Sequence, residues 1–411
     1  MSNPTATSPR TIRLSQRVEA VAPSVTLAVV ARAKALAAGG ADVVSFGAGE
    51  PDFDTPDFIK QAAVEALGSG QTKYTPTPSI PQLRQAIAEK FRRENGLDYQ
   101  PAQICVAPGG KGALYLAFLA LLDDGDEVLI PAPYWVSYPE QAKLCGGVPK
   151  FVVADEAADF KLTPEQLEAA ITPRTRVFIL NSPSNPAGNC YSPAELKALA
   201  EVLARHEQVM VFSDEIYEKL LYGGQETASI AALHPALLDR TITFNCHSKS
   251  FAMTGWRVGY AGGPAPVIAA MNKALTQIAS HITSFCQMPA AVALDDPRGA
   301  ESVEAMRKQF EKRGEHMHRR LGQIPGITCI RPRGAFYCFP NVSAHFGRRA
   351  GEREITDAIS FAEALLEQQN VAVIPGNDSG FATHVRLSFA TSMEQIDKGL
   401  DRLEAFVKSL A

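Results

Sequence analysis

Between residues 104 and 279 the chain alternates short apolar runs with helix-patterned segments, and few folds accommodate that alternation. The apolar runs lie at 104–107, 127–130, 148–153, 176–180, 209–213, 241–245 and 257–261. Helical spacing falls near 110–122, 164–171, 193–206 and 265–279. Near-continuous apolar strands separated by helices indicate an α/β fold with a mostly parallel central sheet, flanked by helices on both faces. In such sheets ligands bind beyond the carboxyl ends of the strands, so the polar residues that follow each run carry the functional interest.

The flanks read differently. Ahead of the alternating region, helical spacing over Val25–Leu36 ends at Gly39-Gly40, and VVSFGAGEPDFDTP begins as a short strand. Helices are expected at 57–67 and 81–95, the second opened by Pro81, with the loop KYTPTPSIPQLR between them. After residue 296 a charged helix at 299–321 leads to strands at 327–330 and 335–339. A helix at 354–368, strands at 371–374 and 384–389, and a last helix at 393–409 follow. With 411 residues available, this pattern predicts a large domain over 55–295 and a smaller α+β domain over 296–411. Residues 14–54 are expected to pack with the small domain, behind a flexible tail at 1–13. Arg348–Arg353 is expected to be a solvated loop.

Composition narrows the partners. A formal net charge of −4 gives no reason to expect nucleic acid or an anionic membrane surface. The seven cysteines include no CxxC pair, and their odd number in a long chain fits reduced thiols. No apolar run approaches the roughly 20 residues of a membrane span. The first residues lack the apolar core of a secretory signal, so the cytoplasm is the expected location.

Several residues after the strands can carry chemistry. Lys249 sits in the stretch SKSFAMTGWRVGYAGG, whose one other charged residue is Arg257, eight positions on. Apolar surroundings favour a neutral amine, which can form a Schiff base with an aldehyde, while arginine suits phosphate. An aldehyde and a phosphate on one small molecule point to pyridoxal 5′-phosphate (PLP). Gly109-Gly110-Lys111-Gly112 opens a helix and can cradle an anion, although Cys105 and Gly112 break the Walker pattern. Trp135 can stack on a flat ring. Asp214 can keep a pyridine nitrogen protonated, with Tyr217 nearby in sequence. Arg386 alternates with Val385 and Leu387, and its fork suits a carboxylate. Each also has an ordinary reading: a strand-to-helix turn, a core tryptophan, a helix N-cap aspartate, an exposed strand arginine.

The wording of these segments resembles class I (fold-type I) PLP-dependent aminotransferases, closest to the gamma branch of bacterial aspartate aminotransferases. The resemblance rests on SKSFAMTGWRVGYAGG, on Pro131–Glu140 as PAPYWVSYPE, on NPAG where the family has NPTG, and on SDEIYEKLLYGG, HVRLSFATS and AGEPDFDTP. It spans about residues 14–408 and implies the following roles. Lys249 holds PLP and carries the proton between the substrate's α-carbon and the cofactor. Asp214 meets the pyridine nitrogen, Tyr217 and Asn185 the phenolic oxygen, and Trp135 the ring face. Gly110, Lys111, Ser248 and Arg257 serve the phosphate. Arg386 binds the substrate α-carboxylate, with Gly49, Trp135 and Asn185 beside it. Tyr74 reaches the phosphate of a neighbouring subunit, which implies a homodimer with shared active sites; no metal is implied. Cys246-His247 departs from the family's small residues at that point.

The same resemblance bears on the substrate. Lys111, with Ser24 or Thr26, is expected to hold the second carboxylate of a dicarboxylic substrate. Relatives that use prephenate carry a lysine where this chain has Ala22, so prephenate is not expected. The expected reaction is L-aspartate plus 2-oxoglutarate to oxaloacetate plus L-glutamate, by a ping-pong route. Rival readings are a sister enzyme for aromatic, alanine or other amino donors, a PLP-dependent β-lyase and, remotely, a PLP-sensing regulator.

Overall fold

The computed structural model describes residues 12–23 and 25–411, with backbone alone at 25–27. Residues 1–11 of the expected tail, Ser24 and the Thr26 side chain lie outside the described residues. Seven strands build the central sheet: β1 Ile104–Pro108, β2 Glu127–Ala132, β3 Val148–Val153, β4 Thr175–Asn181, β5 Met210–Asp214, β6 Thr241–Cys246 and β7 Val258–Gly262. Their spatial order is β1-β7-β6-β5-β4-β2-β3. Strands β2 to β6 run parallel, and β7 runs antiparallel to both β1 and β6. That reversal brings the start of β7 to the edge where the other strands end. Pro108 pairs with Val258 there, which sets Arg257 beside Gly109.

Both faces of the sheet are covered. Helix α1 (Gly109–Leu121) and helix Ala265–Ile278 pack Phe118, Met271 and Leu275 against Val128, Phe212 and Phe244. Phe212 lies 4.9 Å from the ring of Phe118 and 5.2 Å from that of Phe244; truncating such a side chain costs about 3–5 kcal/mol. On the opposite face, helix Pro193–Ala204 buries Leu196, Leu199 and Leu203 against Leu129, Phe178 and Val211. Its start is locked by a reciprocal cap between Ser192 and Glu195.

The C-terminal part forms a small antiparallel sheet of β8 Tyr337–Cys338, β9 Ile374–Pro375 and β10 Val385–Ser388, in the order β9-β10-β8. Helices Pro297–Leu321 and Met393–Ser409 cover it through Phe310, Met317, Leu400 and Phe406. Val44–Ser45 pairs in parallel with Val371–Ala372, which ties this short strand to the C-terminal part.

Departures from the expected elements have local causes. The helix expected at 81–95 is α-helical only over Pro81–Lys90, then widens into a π-turn over Phe91–Asn95. The Asn95 amide turns inward to donate to Glu215, Glu218 and Ser229 at 3.0, 2.7 and 2.9 Å, and Gly96 closes the turn at φ 67°. The expected strand 327–330 reduces to a single bridge between Thr328 and Asn341. The strand expected at 335–339 shrinks to β8, because Ala335 adopts a left-handed φ of 57°. The 371–374 strand divides into two pieces with different partners. Arg348–Arg353 is not a solvated loop: Arg349–Ala350 pairs with Arg353–Glu354 as a hairpin, and Arg353 bridges to Glu363 and Glu367. The following helix therefore starts late, at Ala358, capped by Asp357.

Candidate active site

A cavity of about 1180 Å³ opens at the carboxyl edge of the large sheet. Gly49, Gly110, Lys111, Trp135, Asn185, Asp214, Tyr217, Ser248, Lys249, Arg257 and Arg386 all line it. Topology explains the gathering: β1, β4, β5 and β6 end here, β7 begins here, and the small sheet closes the far side. Among the expected residues whose side chains are described, only Tyr74 stays outside. It is 91% exposed and stacks edge-on against His281 at 5.6 Å.

Lys249 stands on the single turn His247–Ser250 that follows β6. Its amine donates to the carbonyl of Gly49 and lies 5.6 Å above the Phe336 ring. Burial draws its pKa below the ordinary lysine range, and the nearby Arg386 and Arg257 charges act in the same direction. This amine is therefore easier to deprotonate than one in water. His247, next to it, points away from the cavity. It is fully buried, bonds the Ala290 carbonyl at 2.9 Å, and is held down to about 4 by that burial.

Asp214 ends β5 at the cavity floor and is 1% exposed. Tyr138 donates to it at 2.6 Å, and the Ile216 N–H at 3.3 Å. Burial nevertheless pushes its carboxyl from 3.8 up to about 6, against the opposing hydrogen bonds and the Lys249 charge. Between those two values the native state keeps a proton that the unfolded chain has released. Its contribution to stability is thus full below 3.8 and is lost as pH rises through about 6. The ligand-free Asp214→Asn protein is expected to exceed the wild type in stability near pH 8 by on the order of 1–3 kcal/mol. The gap should close near pH 4. Urea unfolding at the two pH values measures this, and an equal gap at both would show that no buried charge is being relieved.

The anion end of the cavity is shaped by glycines. At Gly109 (φ 76°) a Cβ would lie 2.2 Å from the Arg257 guanidinium, and at Gly259 it would lie 2.1 Å from the Gly109 backbone. Glycine at both positions lets Arg257, itself left-handed at φ 56°, lie across the start of α1. The Arg257 guanidinium is anchored to the Thr254 carbonyl at 2.8 Å and the Pro108 carbonyl at 3.4 Å. The first N–H groups of α1 add a partial positive charge. The Lys111 amine lies 5.0 Å over the Trp135 ring. Burial and the like charge of Arg257 lower its pKa. This end is thus a cationic cradle suited to a phosphate.

At the opposite end Arg386 is buried within β10, not exposed. It donates to Asn185 Oδ1 at 3.0 Å and to the Gly47 carbonyl at 3.1 Å, while its Nε has no partner among the described residues. A buried guanidinium with an unused donor is a seat for a carboxylate.

Two residues of this site had not been singled out. Tyr138 reaches Asp214 from helix Ser137–Leu144; it lies within the PYWVSYPE segment, three positions after Trp135, and the two rings meet edge-on at 5.2 Å. Tyr337 bonds the Tyr217 hydroxyl at 3.0 Å, and nothing near it in sequence signals that contact. Among the described residues, no helix is long and apolar enough to cross a membrane.

Comparison with known proteins follows the same lines. The family "Aminotransferase class I and II" matches residues 41–403. The aspartate aminotransferase of Geobacillus stearothermophilus is 50% identical over 97% of this chain and 100% of its own. The aspartate/prephenate aminotransferase of Cereibacter sphaeroides is 49% identical over 97% and 99%. The crystal structure of the Rhizobium meliloti aspartate aminotransferase superposes with a TM-score of 0.94 at 42% identity, covering 98% of this chain and 100% of that one. The Thermus thermophilus aspartate aminotransferase with maleate gives 0.90 at 43%, covering 96% and 100%.

Proposed function

The chain belongs to the class I and II aminotransferase family, and from that premise we propose that it is a PLP-dependent aspartate aminotransferase. It converts L-aspartate and 2-oxoglutarate into oxaloacetate and L-glutamate by a ping-pong route. The observation that carries the reading is the meeting of Lys249, Asp214, Arg257 and Arg386 in one cavity. Relatives that match nearly the whole chain are named aspartate aminotransferases, and one solved relative is described with maleate, a four-carbon dicarboxylate.

The residues present fit PLP: the glycine-built cradle suits a phosphate, the buried Asp214 carboxylate a protonated ring nitrogen, and the Lys249 amine an aldehyde. When bound, PLP supplies an electron sink for negative charge at the substrate's α-carbon. Arg257, Ser248 and the α1 N–H groups hold the phosphate. Trp135 covers a ring face, and Tyr217 and Asn185 meet the phenolic oxygen. Arg386 orients the substrate α-carboxylate so that the α-proton faces the Lys249 amine, which would act as the base that takes it from the α-carbon. Lys111 holds the distal carboxylate. The exposure of Tyr74, away from its own cavity, supports a homodimer in which it reaches the neighbouring site.

The absorption spectrum of the purified, PLP-loaded protein, before and after L-aspartate alone, tests the proposal. A visible band that moves to shorter wavelength is expected, because aspartate alone completes half of the reaction. A band that ignores aspartate would direct the search to aromatic or alanine donors, and no band at all would remove the cofactor. Prephenate as amino acceptor belongs in the same assay. Ala22 brings no side-chain charge to the cavity, its N–H being held by Glu140 at 2.8 Å, and no turnover of prephenate is expected.

A further inference from the structure

Tyr337 lies where the two ends of the cavity meet. It sits on β8, is fully buried, and lines the cavity. Its hydroxyl bonds the Tyr217 hydroxyl at 3.0 Å. Its ring carries the Arg386 guanidinium carbon 4.5 Å above its centroid. A Cβ at Gly49, whose carbonyl accepts the Lys249 amine, would stand 3.7 Å from the same hydroxyl. Phe336 supports the ring from below at 4.7 Å between centroids. One side chain therefore touches Tyr217 and Arg386 and stands beside Gly49, whose carbonyl accepts the Lys249 amine.

We propose that Tyr337 is a positioning residue with two separable functions: its hydroxyl tunes Tyr217, and its ring aligns Arg386 for the substrate carboxylate. The inference rests on the reading of the site as a PLP-dependent aminotransferase.

The hydroxyl acts through a chain of donors. When Tyr217 donates its proton to an acceptor in the cavity, its own oxygen becomes the acceptor left to be satisfied. Tyr337 is the group within reach. A hydroxyl that receives a hydrogen bond becomes a stronger donor in turn, and a buried site magnifies the effect. The charged groups that face this pair are Arg386, Asp214 and Lys249, whose amine lies 6.0 Å from the Tyr217 ring centre, so a change in its donor strength would be felt where the cofactor titrates.

The ring acts by geometry. Arg386 is fixed at its edge by Asn185 and the Gly47 carbonyl, and these two bonds alone leave the guanidinium free to tilt about the line joining them. An aromatic face beneath it removes that freedom and adds a cation–π contact that is stronger out of water. Both the amino acid and the oxo acid present an α-carboxylate to this fork, so both depend on the ring.

Tyr337→Phe and Tyr337→Leu separate the two functions. Tyr337→Phe keeps the ring. Its KM values should stay close to wild type, its kcat should fall by roughly three- to tenfold, and the pH midpoint of its visible band should rise by roughly 0.3–1 unit. Tyr337→Leu loses ring and hydroxyl. It should show the same midpoint shift, with KM for both L-aspartate and 2-oxoglutarate raised about tenfold. A residue that merely fills space would lower Tm in both variants without moving the midpoint or splitting KM from kcat. That pattern, beside a normal wild-type spectrum, overturns this proposal alone. A wild type with no visible band overturns the cofactor reading and this proposal together.

Discussion

Lys249→Ala is expected to lower the turnover of L-aspartate with 2-oxoglutarate by roughly 10⁴–10⁶-fold while leaving the fold intact. The size follows from the two tasks assigned to one amine. It attaches the aldehyde of PLP, and it moves the α-proton at the substrate. Losing a general base alone costs about 10²–10⁴, and the loss of attachment adds to that. Little stability should go with it, because the lysine stands on a four-residue turn and its amine donates to the Gly49 carbonyl. Borohydride reduction followed by mass measurement reads the attachment: the wild type should gain the mass of one reduced cofactor at Lys249, and the variant should not. A variant that keeps more than about a tenth of the wild-type rate would remove Lys249 from the chemistry.

Arg386→Ala should reduce kcat/KM by roughly 10²–10³-fold for every substrate that carries an α-carboxylate. The guanidinium is buried, has a donor to spare, and is held on its edge and its face, so its orientation is set before substrate arrives. Arg386→Lys should recover only part of the loss, since an ammonium keeps the charge but not the two parallel donors. The decisive comparison is between half-reactions. Amino acid and oxo acid should suffer alike, because the same carboxylate is gripped in both. A variant impaired with L-aspartate but normal with 2-oxoglutarate would show that Arg386 does not hold the shared group. Stability should fall as well, because Asn185 Oδ1 and the Gly47 carbonyl lose a buried donor.

Much of the architecture was legible because buried parallel strands write themselves plainly. Val106, Ile130, Phe178 and Val211 lie in runs that are largely apolar on both faces, and each run ends within about a residue or two of where its strand ends. The site residues were legible for a related reason: Asp214 and Lys249 lie at or just after strand ends, where a doubly covered sheet presents its ligands. The small sheet was less legible. Its strands are two to four residues long, too short for a periodicity to emerge, and the hairpin at Arg349–Glu354 is made of charged residues whose pairing is a matter of backbone and salt bridges.

By itself the sequence determined which residues carry charge, aromatic faces and glycine freedom, and in what order along seven strands. Those properties are local, set by side-chain chemistry and by the period of the backbone. Only the tertiary structure decided that β7 runs backwards, so that Arg257 crosses Gly109. It likewise decided that Tyr138 reaches Asp214, that Tyr337 joins Tyr217 to Arg386, and that Tyr74 faces away from its own cavity. The contacts among these join residues up to about 150 positions apart. Their energies depend on distance and burial, and neither is defined until the chain has closed on itself.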